Sequence, residues 1–298
     1  MSDETSRALI APSMRIGPQT FVWGARTYIM GVINVSPDSF SGDGLASVDA
    51  AAEQARRFVD EGADILDVGG QSTRPGANTT DAGFDEISPA EEIRRVVPAV
   101  EGIRAALPGT PISVDTYKPD VARGAIDAGA HMINDIWGFR RDDAIARIAV
   151  ESRVPVVIMH NQRGRAARDV MGDITDGLRE SIRIAAAAGL GASMLIADPG
   201  FGFGWRPEQN LEMLRRVGEL RALGLPILVG TSRKSTIGTA LGGAAPEDRV
   251  FGTAASVAIA IANGADIVRV HDVAAMKQVA MVADAIVRAP RNAGSELS

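Results

Sequence analysis

The chain has 298 residues, of which 46% are hydrophobic and 23% charged, so it has enough apolar surface for a large core and is not expected to be disordered. Its formal net charge is −6, and no segment concentrates lysine and arginine, which argues against a nucleic-acid partner. The absence of cysteine excludes disulfides, thiolate metal sites and a cysteine nucleophile, and agrees with a reducing cytoplasm.

The two ends of the chain are polar, and we predict flexible tails over residues 1–13 and 291–298 around one domain at residues 14–290. The start of the chain lacks the basic residues and long apolar centre of a secretory signal. No window approaches the run of about 20 apolar residues that crosses a bilayer. These features predict a cytoplasmic protein that does not contact membranes.

Strand-like and helix-like patterns alternate along the chain, which predicts βα units. A β-hairpin is expected first, over residues 14–26, with its turn at Trp23 and Gly24. Short apolar runs predict parallel strands at 28–34, 65–69, 112–115, 132–134, 156–160, 195–198, 227–230 and 267–270. Longer segments of helical period predict helices at 48–61, 89–107, 118–128, 142–151, 175–188, 207–223, 248–262 and 273–287.

This order of elements predicts an α/β fold, a (β/α)8 TIM barrel whose lower mouth is closed by the hairpin. A doubly wound open sheet fits the same alternation. The barrel is favoured because a polar residue ends nearly every predicted strand. A Gly-Ala pair precedes four of the strands, at Gly62, Gly129, Gly191 and Gly264, and predicts that a left-handed glycine ends each preceding helix.

Polar side chains end the predicted strands at points that are far apart in the sequence. Because the parallel strands of a barrel all point their carboxyl ends to one mouth, we expect these side chains to form one site. A single residue of this kind can equally cap a loop, so the prediction depends on the whole set. The set comprises Asn34, Asp67, Asp115, Asn134, His160, Asp198, Ser232, Arg233, Lys234, Arg269 and His271.

Three cationic groups follow the last two strands, where barrel enzymes often bind phosphate: Lys234, Arg269 and His271. Together they predict a phosphorylated or pyrophosphorylated substrate. Each one alone is more often a surface ion pair or a structural histidine, and only their clustering favours the functional interpretation.

A second group of strand-end residues, Asp115, Asn134 and Asp198, supplies carboxylate and amide groups that suit a planar nitrogen heterocycle. Met159 and Phe203 are expected to pack on the two faces of such a ring, although ordinary core packing explains them nearly as well.

Two segments rich in turn-forming residues follow the first and second strands, at 36–47 and 69–80. Long polar loops on the active face of a barrel commonly close over substrate, and we expect these loops to do so. The loops carry Asp38, Ser39, Phe40, Ser72, Thr73 and Arg74.

A series of motifs resembles the dihydropteroate synthase family, in family order from Met30 to Val273. The motifs are residues 30–41 (MGVINVSPDSFS), 67–76 (DVGGQSTRPG), 113–118 (SVDTYK), 133–135 (IND), 198–204 (DPGFGFG), 230–235 (GTSRKS) and 269–273 (RVHDV). The resemblance implies a (β/α)8 barrel, a homodimer, a sulfonamide target and a transferase of folate biosynthesis. In the implied reaction, 6-hydroxymethyl-7,8-dihydropterin diphosphate condenses with 4-aminobenzoate and pyrophosphate is released.

The resemblance also implies roles for individual residues. It assigns the pterin pocket to Asp115, Asn134, Met159, Asp198, Phe203, Gly230 and Lys234. It assigns the diphosphate contacts to Thr73, Arg269 and His271, with Arg74 as a further substrate-binding residue, and the Mg²⁺ ligand to Asn34. It assigns the 4-aminobenzoate pocket to Phe40, Pro75, Lys234 and Ser235. Its catalytic residues fall on Asp115, Lys234, Arg269 and His271, which act by stabilising charge as pyrophosphate leaves.

Two other functions stay open on the sequence alone. A methyl-transfer domain of related fold would use methyltetrahydrofolate and a corrinoid partner, but it has no reason to keep the loop motifs at 37–40 and 72–75. A non-catalytic paralogue would bind pterin without turning it over. Gln71 and Trp205 depart from the usual family pattern, and Trp205 is expected to alter the rim of the pterin pocket.

Overall fold

The computed structural model describes residues 13–35, 48–71 and 86–288. Its strands are β1 (Ser13–Ile16), β2 (Gln19–Val22), β3 (Tyr28–Asn34), β4 (Ile65–Gly69), β5 (Ile112–Asp115), β6 (Met132–Asp135), β7 (Val156–Met159), β8 (Leu195–Asp198), β9 (Leu228–Val229) and β10 (Ile267–Val270). Its α-helices are α1 (Val48–Asp60), α2 (Pro89–Ala106), α3 (Pro119–Asp127), α4 (Ala144–Ser152), α5 (Val170–Ala188), α6 (Pro207–Arg216), α7 (Ser235–Ala240), α8 (Val250–Ala262) and α9 (Val273–Val287). No helix within these ranges is long and apolar enough to cross a bilayer.

Strands β3 to β10 form one parallel sheet that closes on itself. From β3 to β8 each strand pairs with the next, while β10 pairs with both β3 and β9. A parallel bridge joins Ala197 in β8 to Ile227, one residue before β9, and so brings the two ends of the sheet together. The Ala197 N–H also donates to the Pro226 carbonyl at 2.9 Å. The predicted (β/α)8 barrel is therefore confirmed.

Side chains alternate between two apolar cores along the barrel strands, as the period of two in a β-strand requires. Outward-facing residues such as Leu66 and Val156 pack with the surrounding helices. Inward-facing residues such as Ile65 and Met132 fill the amino-terminal half of the barrel, and Phe21 of the hairpin packs with them. The hairpin thus covers the lower mouth, and burial of its apolar face holds it there.

The hairpin itself turns at a different place from the prediction. Ile16 lies opposite Gln19 in the β1–β2 pair, so the turn consists of Gly17 and Pro18. Gly17 has a φ of +54°, a conformation that glycine adopts without steric cost and that suits the first position of a two-residue hairpin loop. The predicted turn at Trp23 and Gly24 is instead the connection into β3.

Helix ends follow local capping chemistry, and two predicted boundaries were wrong. Helix α5 begins five residues before the predicted start, because Asp169 caps it by accepting a hydrogen bond from the Gly172 N–H at 2.6 Å. The predicted helix at 207–223 is interrupted, since α6 ends at Arg216 and a 3-10 helix follows over Val217–Leu223.

Three of the four Gly-Ala pairs lie where the sequence predicted a left-handed glycine. Gly62, Gly129 and Gly264 have φ values of +100°, +109° and +98°. Gly191 differs, because it has a φ of −72° and precedes a short 3-10 helix. Gly189, with a φ of +89°, ends α5 in its place.

Candidate functional site

The carboxyl ends of the barrel strands carry the inward-facing polar residues that the sequence predicted to meet. The register places Asp115 beside Asn134, and Met159 beside Asp198, on neighbouring strands. Each of these residues follows an inward-facing apolar or small residue by two positions, so it faces the upper half of the same barrel interior. The predicted convergence at one mouth is therefore present for the strand ends of β5 to β8.

Arg269 links three strands across this mouth. Its Nε donates to Asp67 Oδ2 at 2.6 Å and its Nη2 donates to Asp115 Oδ2 at 2.6 Å. Asn134 Nδ2 donates to the same Asp67 oxygen at 3.0 Å. The guanidinium therefore lies between two carboxylates, and the fully buried Asp67 orients both Arg269 and Asn134. The sequence placed Asp67 at a strand end but assigned it no role.

Burial changes the protonation chemistry of this group of residues. It raises the pKa of the Asp115 carboxyl to about 7, an effect that Arg269 opposes and Asp67 strengthens. Burial also raises the pKa of the Asp198 carboxyl, against the attraction of Lys234. Burial disfavours the charge of Arg269, but Asp67 and Asp115 hold its pKa above the usual value. The guanidinium is thus the permanent cation of the mouth.

Lys234 approaches the mouth from the loop after β9. Its Nζ donates to the Phe201 carbonyl and lies 4.4 Å from the centre of the Phe203 ring. Gly202 has a φ of +83°, and a Cβ there would lie 2.7 Å from Lys234 Cδ, so only glycine permits this approach. Burial lowers the pKa of the Lys234 ammonium to about 7, while Asp198 opposes the change.

Met159 and Phe203 lie together in a small apolar cluster at the mouth. Tyr117 and Ile136 belong to the same cluster, and the partly buried Trp137 packs against it. The sequence predicted Met159 and Phe203 here but missed the other three. A signal was available, because Tyr117 and Ile136 each follow an inward-facing polar strand-end residue by two positions.

His271 and Ser232 connect the loops that follow β10 and β9. The Ser232 Oγ accepts a hydrogen bond from the His271 backbone N–H at 3.1 Å and lies 3.0 Å from His271 Nδ1. Gly230 lies against Arg269, where a Cβ would stand 3.6 Å from the arginine Cβ. Ser235 is exposed at the first position of α7.

Asn34 is the last residue of β3 and is half-buried. It shares the inward-facing side of the strand with Met30, so its amide is directed to the interior rather than to α1. An amide oxygen is a hard ligand of the kind that Mg²⁺ prefers.

Three residues that the sequence predicted at or near the mouth are directed elsewhere, and one of them is Arg233, which pairs with Asp272. His160 follows the inward-facing Met159 and therefore faces outward, where burial lowers its pKa to about 4. Trp205 is buried in the outer core, with its ring centre 5.8 Å from that of His160, so the expectation that it alters the pterin rim was wrong. For His160 the correction follows from strand geometry, since adjacent residues along an extended strand face opposite sides.

Gln71 stands where the family commonly has glutamate, and it belongs to a polar network beside the mouth. Its Oε1 accepts a hydrogen bond from Lys118 Nζ at 2.6 Å, while the same ammonium pairs with Glu92 at 2.7 Å. Its Nε2 donates to the Tyr117 hydroxyl at 3.3 Å. The departure therefore keeps the side chain hydrogen-bonded.

Several predicted residues lie outside the described residues, together with the loop predicted at 36–47, residues 72–80 of the second predicted loop and nearly all of the predicted tails. These residues are Asp38, Ser39, Phe40, Ser72, Thr73, Arg74 and Pro75.

The chain is similar to known proteins over most of its length. A family described as pterin binding enzyme matches residues 30–271. The dihydropteroate synthase of Clostridium beijerinckii is 46% identical over 277 residues, which cover 92% of this chain and 100% of the relative. Dihydropteroate synthase from Xanthomonas albilineans with 4-aminobenzoic acid has a TM-score of 0.85 at 40% identity, covering 94% of this chain and 100% of that one. The same enzyme in complex with 7,8-dihydropteroate has a TM-score of 0.82 at 38% identity and the same coverage. The chain therefore belongs to the dihydropteroate synthase family, the transferases of folate biosynthesis.

Proposed function

We propose that the barrel mouth around Asp115 and Arg269 is the active site of this transferase. As a dihydropteroate synthase, the chain condenses 6-hydroxymethyl-7,8-dihydropterin diphosphate with 4-aminobenzoate to form 7,8-dihydropteroate and pyrophosphate. The observation that carries the proposal is the position of Arg269 between Asp67 and Asp115. In this position the permanently charged Arg269 guanidinium can bind the diphosphate. It lies beside the carboxylate and amide groups that suit the pterin ring.

The pterin ring is proposed to bind below the rim, between the apolar faces of Met159 and Phe203. Asp115, Asn134 and Asp198 would then hydrogen-bond to its nitrogen atoms and exocyclic groups. The buried carboxylates support this orientation, because a buried acceptor without a partner is costly and selects a ligand that carries matching N–H donors.

The diphosphate is proposed to bind to Arg269, His271 and Lys234. In the reaction, the bond between the pterin methylene carbon and the diphosphate oxygen breaks, and pyrophosphate leaves with the electron pair. The amine of 4-aminobenzoate then forms the new C–N bond and loses a proton. The carboxylate of Asp115 stabilises positive charge on the pterin, while the cationic side chains stabilise the negative charge that develops on the leaving group.

Mg²⁺ fits this arrangement through Asn34. The ion characteristically takes one or two protein oxygens and completes its shell with water and substrate phosphates, and the Asn34 amide offers one such oxygen at the end of β3. When bound, Mg²⁺ would neutralise charge on the diphosphate. Thr73, Arg74, Phe40 and Pro75 remain predictions from the family resemblance, in the diphosphate and 4-aminobenzoate subsites.

Pyrophosphate release tests this function directly. Pyrophosphate release should require both substrates, and its amount should equal the amount of 7,8-dihydropteroate formed. The rate of release should fall when Mg²⁺ is chelated. Arg269→Met should raise the KM for the pterin diphosphate more than the KM for 4-aminobenzoate, because it removes the diphosphate cation. Pterin binding without pyrophosphate release would instead identify a non-catalytic paralogue, and equal effects on both KM values would remove the anion role of Arg269.

A homodimer is proposed through the outer face of α8 and α9. Large apolar side chains are exposed on these two adjacent helices, with Phe251 at 85%, Met281 at 62% and Ile286 at 75% exposure. Exposed apolar side chains of this size characteristically mark an interface. The reaction is proposed to take place in the cytoplasm, in agreement with a chain that contains no cysteine.

A further inference from the structure

We infer that Arg233 and Asp272 are a pair of positioning residues, an ion-pair clamp that sets the places of Lys234 and His271 at the mouth. The inference rests on the proposed function, since that proposal assigns substrate contacts to Lys234 and His271. The proposed function assigns no substrate contact to Arg233 or Asp272. Arg233 immediately precedes Lys234 in the chain, and Asp272 immediately follows His271.

The backbone of Arg233 has a conformation that needs outside support. Its φ is +57°, in the left-handed region that side-chain-bearing residues rarely adopt. This conformation is strained for a residue with a Cβ, because the Cβ lies too close to the following carbonyl oxygen. Arg233 lies in a turn closed by a hydrogen bond from the Lys234 N–H to the Thr231 carbonyl at 3.2 Å. Because of this turn, Ser232 and Lys234 face the mouth, whereas the Arg233 side chain is directed to Asp272.

Four hydrogen bonds supply this support. The Arg233 Nε and Nη2 donate to the two carboxylate oxygens of Asp272, at 3.0 Å and 2.6 Å. The Arg233 N–H donates to the Thr253 hydroxyl at 3.1 Å, and its carbonyl accepts from Arg249 Nη1 at 2.8 Å. Side chain and backbone are thus both held, and a bidentate pair fixes distance and orientation together.

Asp272 pairs with Arg233 instead of capping the helix that follows it. It is the residue immediately before α9, a position where aspartate normally accepts a hydrogen bond from the first turn of the helix. The Asp272 carboxylate makes no such cap. A side chain that departs from its local capping preference and bonds to a residue distant in sequence is typical of a functional site.

The clamp runs parallel to a second connection between the same loops. The Ser232 Oγ lies within hydrogen-bonding distance of both the backbone N–H and the Nδ1 of His271. The next residue of each loop forms the Arg233–Asp272 ion pair. Two adjacent connections fix both the separation and the rotation of the loops, whereas one would leave rotation free. The pair therefore determines where the Lys234 ammonium and the His271 ring stand relative to each other.

Steady-state kinetics of Asp272→Asn and Arg233→Gln test the inference. Both variants should raise the KM for the pterin diphosphate on the order of tenfold, because small displacements of binding groups weaken substrate positioning. Arg233→Lys keeps the charge but loses the bidentate geometry, so it should restore part of the loss. The double variant Arg233→Gln with Asp272→Asn should be no worse than either single variant, since both remove one interaction.

Arg26→Gln is the matched control. It removes a bidentate ion pair with Asp64, at 2.9 Å and 2.6 Å, from the opposite end of the barrel. A purely structural role for the clamp predicts that Arg26→Gln and Asp272→Asn lower the melting temperature alike and leave both KM values unchanged. That result would overturn the inference.

Lys234→Met and His271→Ala separate failure of the clamp from failure of the proposed site. Raised KM values in these variants, with normal values in Asp272→Asn and Arg233→Gln, would overturn the clamp and keep the site. Normal KM values in all four variants would overturn the site as well. If Asp272→Asn does not fold, a normal KM in Arg233→Lys and Arg233→Gln still overturns the inference.

Discussion

Arg269 illustrates how one side chain determines the electrostatics of the mouth. It faces Asp67 and Asp115 at equal distances of 2.6 Å, so one guanidinium is shared between two acidic side chains in the described structure. A diphosphate that binds Arg269 competes with Asp115 for the same guanidinium. Asp67 holds Nε from below and therefore keeps the arginine in the mouth when its other partner changes.

Asp115→Asn should lower kcat/KM on the order of 100-fold, because it removes the negative charge that stabilises the cationic pterin in the transition state. The variant keeps the size of the side chain, and it removes a charge that burial disfavours, so its melting temperature should not fall. Initial-rate kinetics and thermal unfolding measure the two effects. A kcat/KM near that of the wild type would remove the role assigned to Asp115.

The pH dependence of kcat/KM should form a narrow bell near pH 7. Asp115 must be ionised, which requires a pH above its pKa of about 7, and Lys234 must be protonated, which requires a pH below its pKa of about 7. Asp115→Asn should lose the acidic limb and keep the alkaline one. A variant profile with both limbs unchanged would contradict the assignment of the acidic limb to Asp115.

At the scale of elements, the packing of α5 on β7 depends on a glycine. A Cβ at Gly177 would lie 2.1 Å from His160 Nδ1 and 3.0 Å from Arg140 Nη1. Gly177→Ala should therefore lower the free energy of unfolding by about 1–3 kcal/mol, although alanine favours helix formation. Chemical denaturation measures the change.

Gly124→Ala is the control for this prediction, because Gly124 also lies within a helix, α3. Its added Cβ would lie 3.2 Å from Val97 Cγ2, a contact that a small movement relieves, and 4.0 Å from Ile93 Cγ1, an ordinary van der Waals contact. We expect a change close to zero or a gain of up to about 1 kcal/mol. Equal effects of the two substitutions would show that His160 does not restrict α5 in this way.

The elements also show which local signals suffice for prediction. Helix α2 begins at Pro89, as predicted, because the hydroxyl of the preceding Ser88 accepts a hydrogen bond from the Glu91 N–H at 3.2 Å. The start of α5 was misplaced by five residues because Asp169 is a stronger capping residue than the predicted Thr175. The hairpin turns at Gly17 and Pro18 instead of the predicted Trp23 and Gly24, because glycine permits the left-handed conformation of the turn and proline fixes φ at the next residue.

At the scale of the whole molecule, the proposed dimer predicts the effect of a charge on α9. Ile286→Glu should convert a homodimer to a monomer, because an unpaired carboxylate is costly to bury in an apolar interface. Light scattering coupled to size-exclusion chromatography measures the mass. Val22→Glu, an equivalent change at a residue 47% exposed on the hairpin, should leave the dimer intact. A monomeric wild-type protein would refute the proposal.

The sequence by itself determined the order of most elements and most of the polar residues at the mouth, and it favoured the closed barrel over an open sheet. These properties depend on local physics: the apolar alternation of strands, the capping of helices, and the common direction of parallel strand ends. The recognised motifs added the reaction, which no local rule supplies.

The tertiary structure alone decided how those residues are partnered. His160 was predicted at the mouth but faces outward, since a shift of one position reverses the face of a strand residue. Asp67 orients Arg269 through a contact between residues that are 202 positions apart in the sequence. Arg233 and Asp272 pair across 39 residues, in loops whose approach depends on closure of the barrel. Contacts of this range arise from the closed fold, because no local pattern specifies which distant side chains become neighbours.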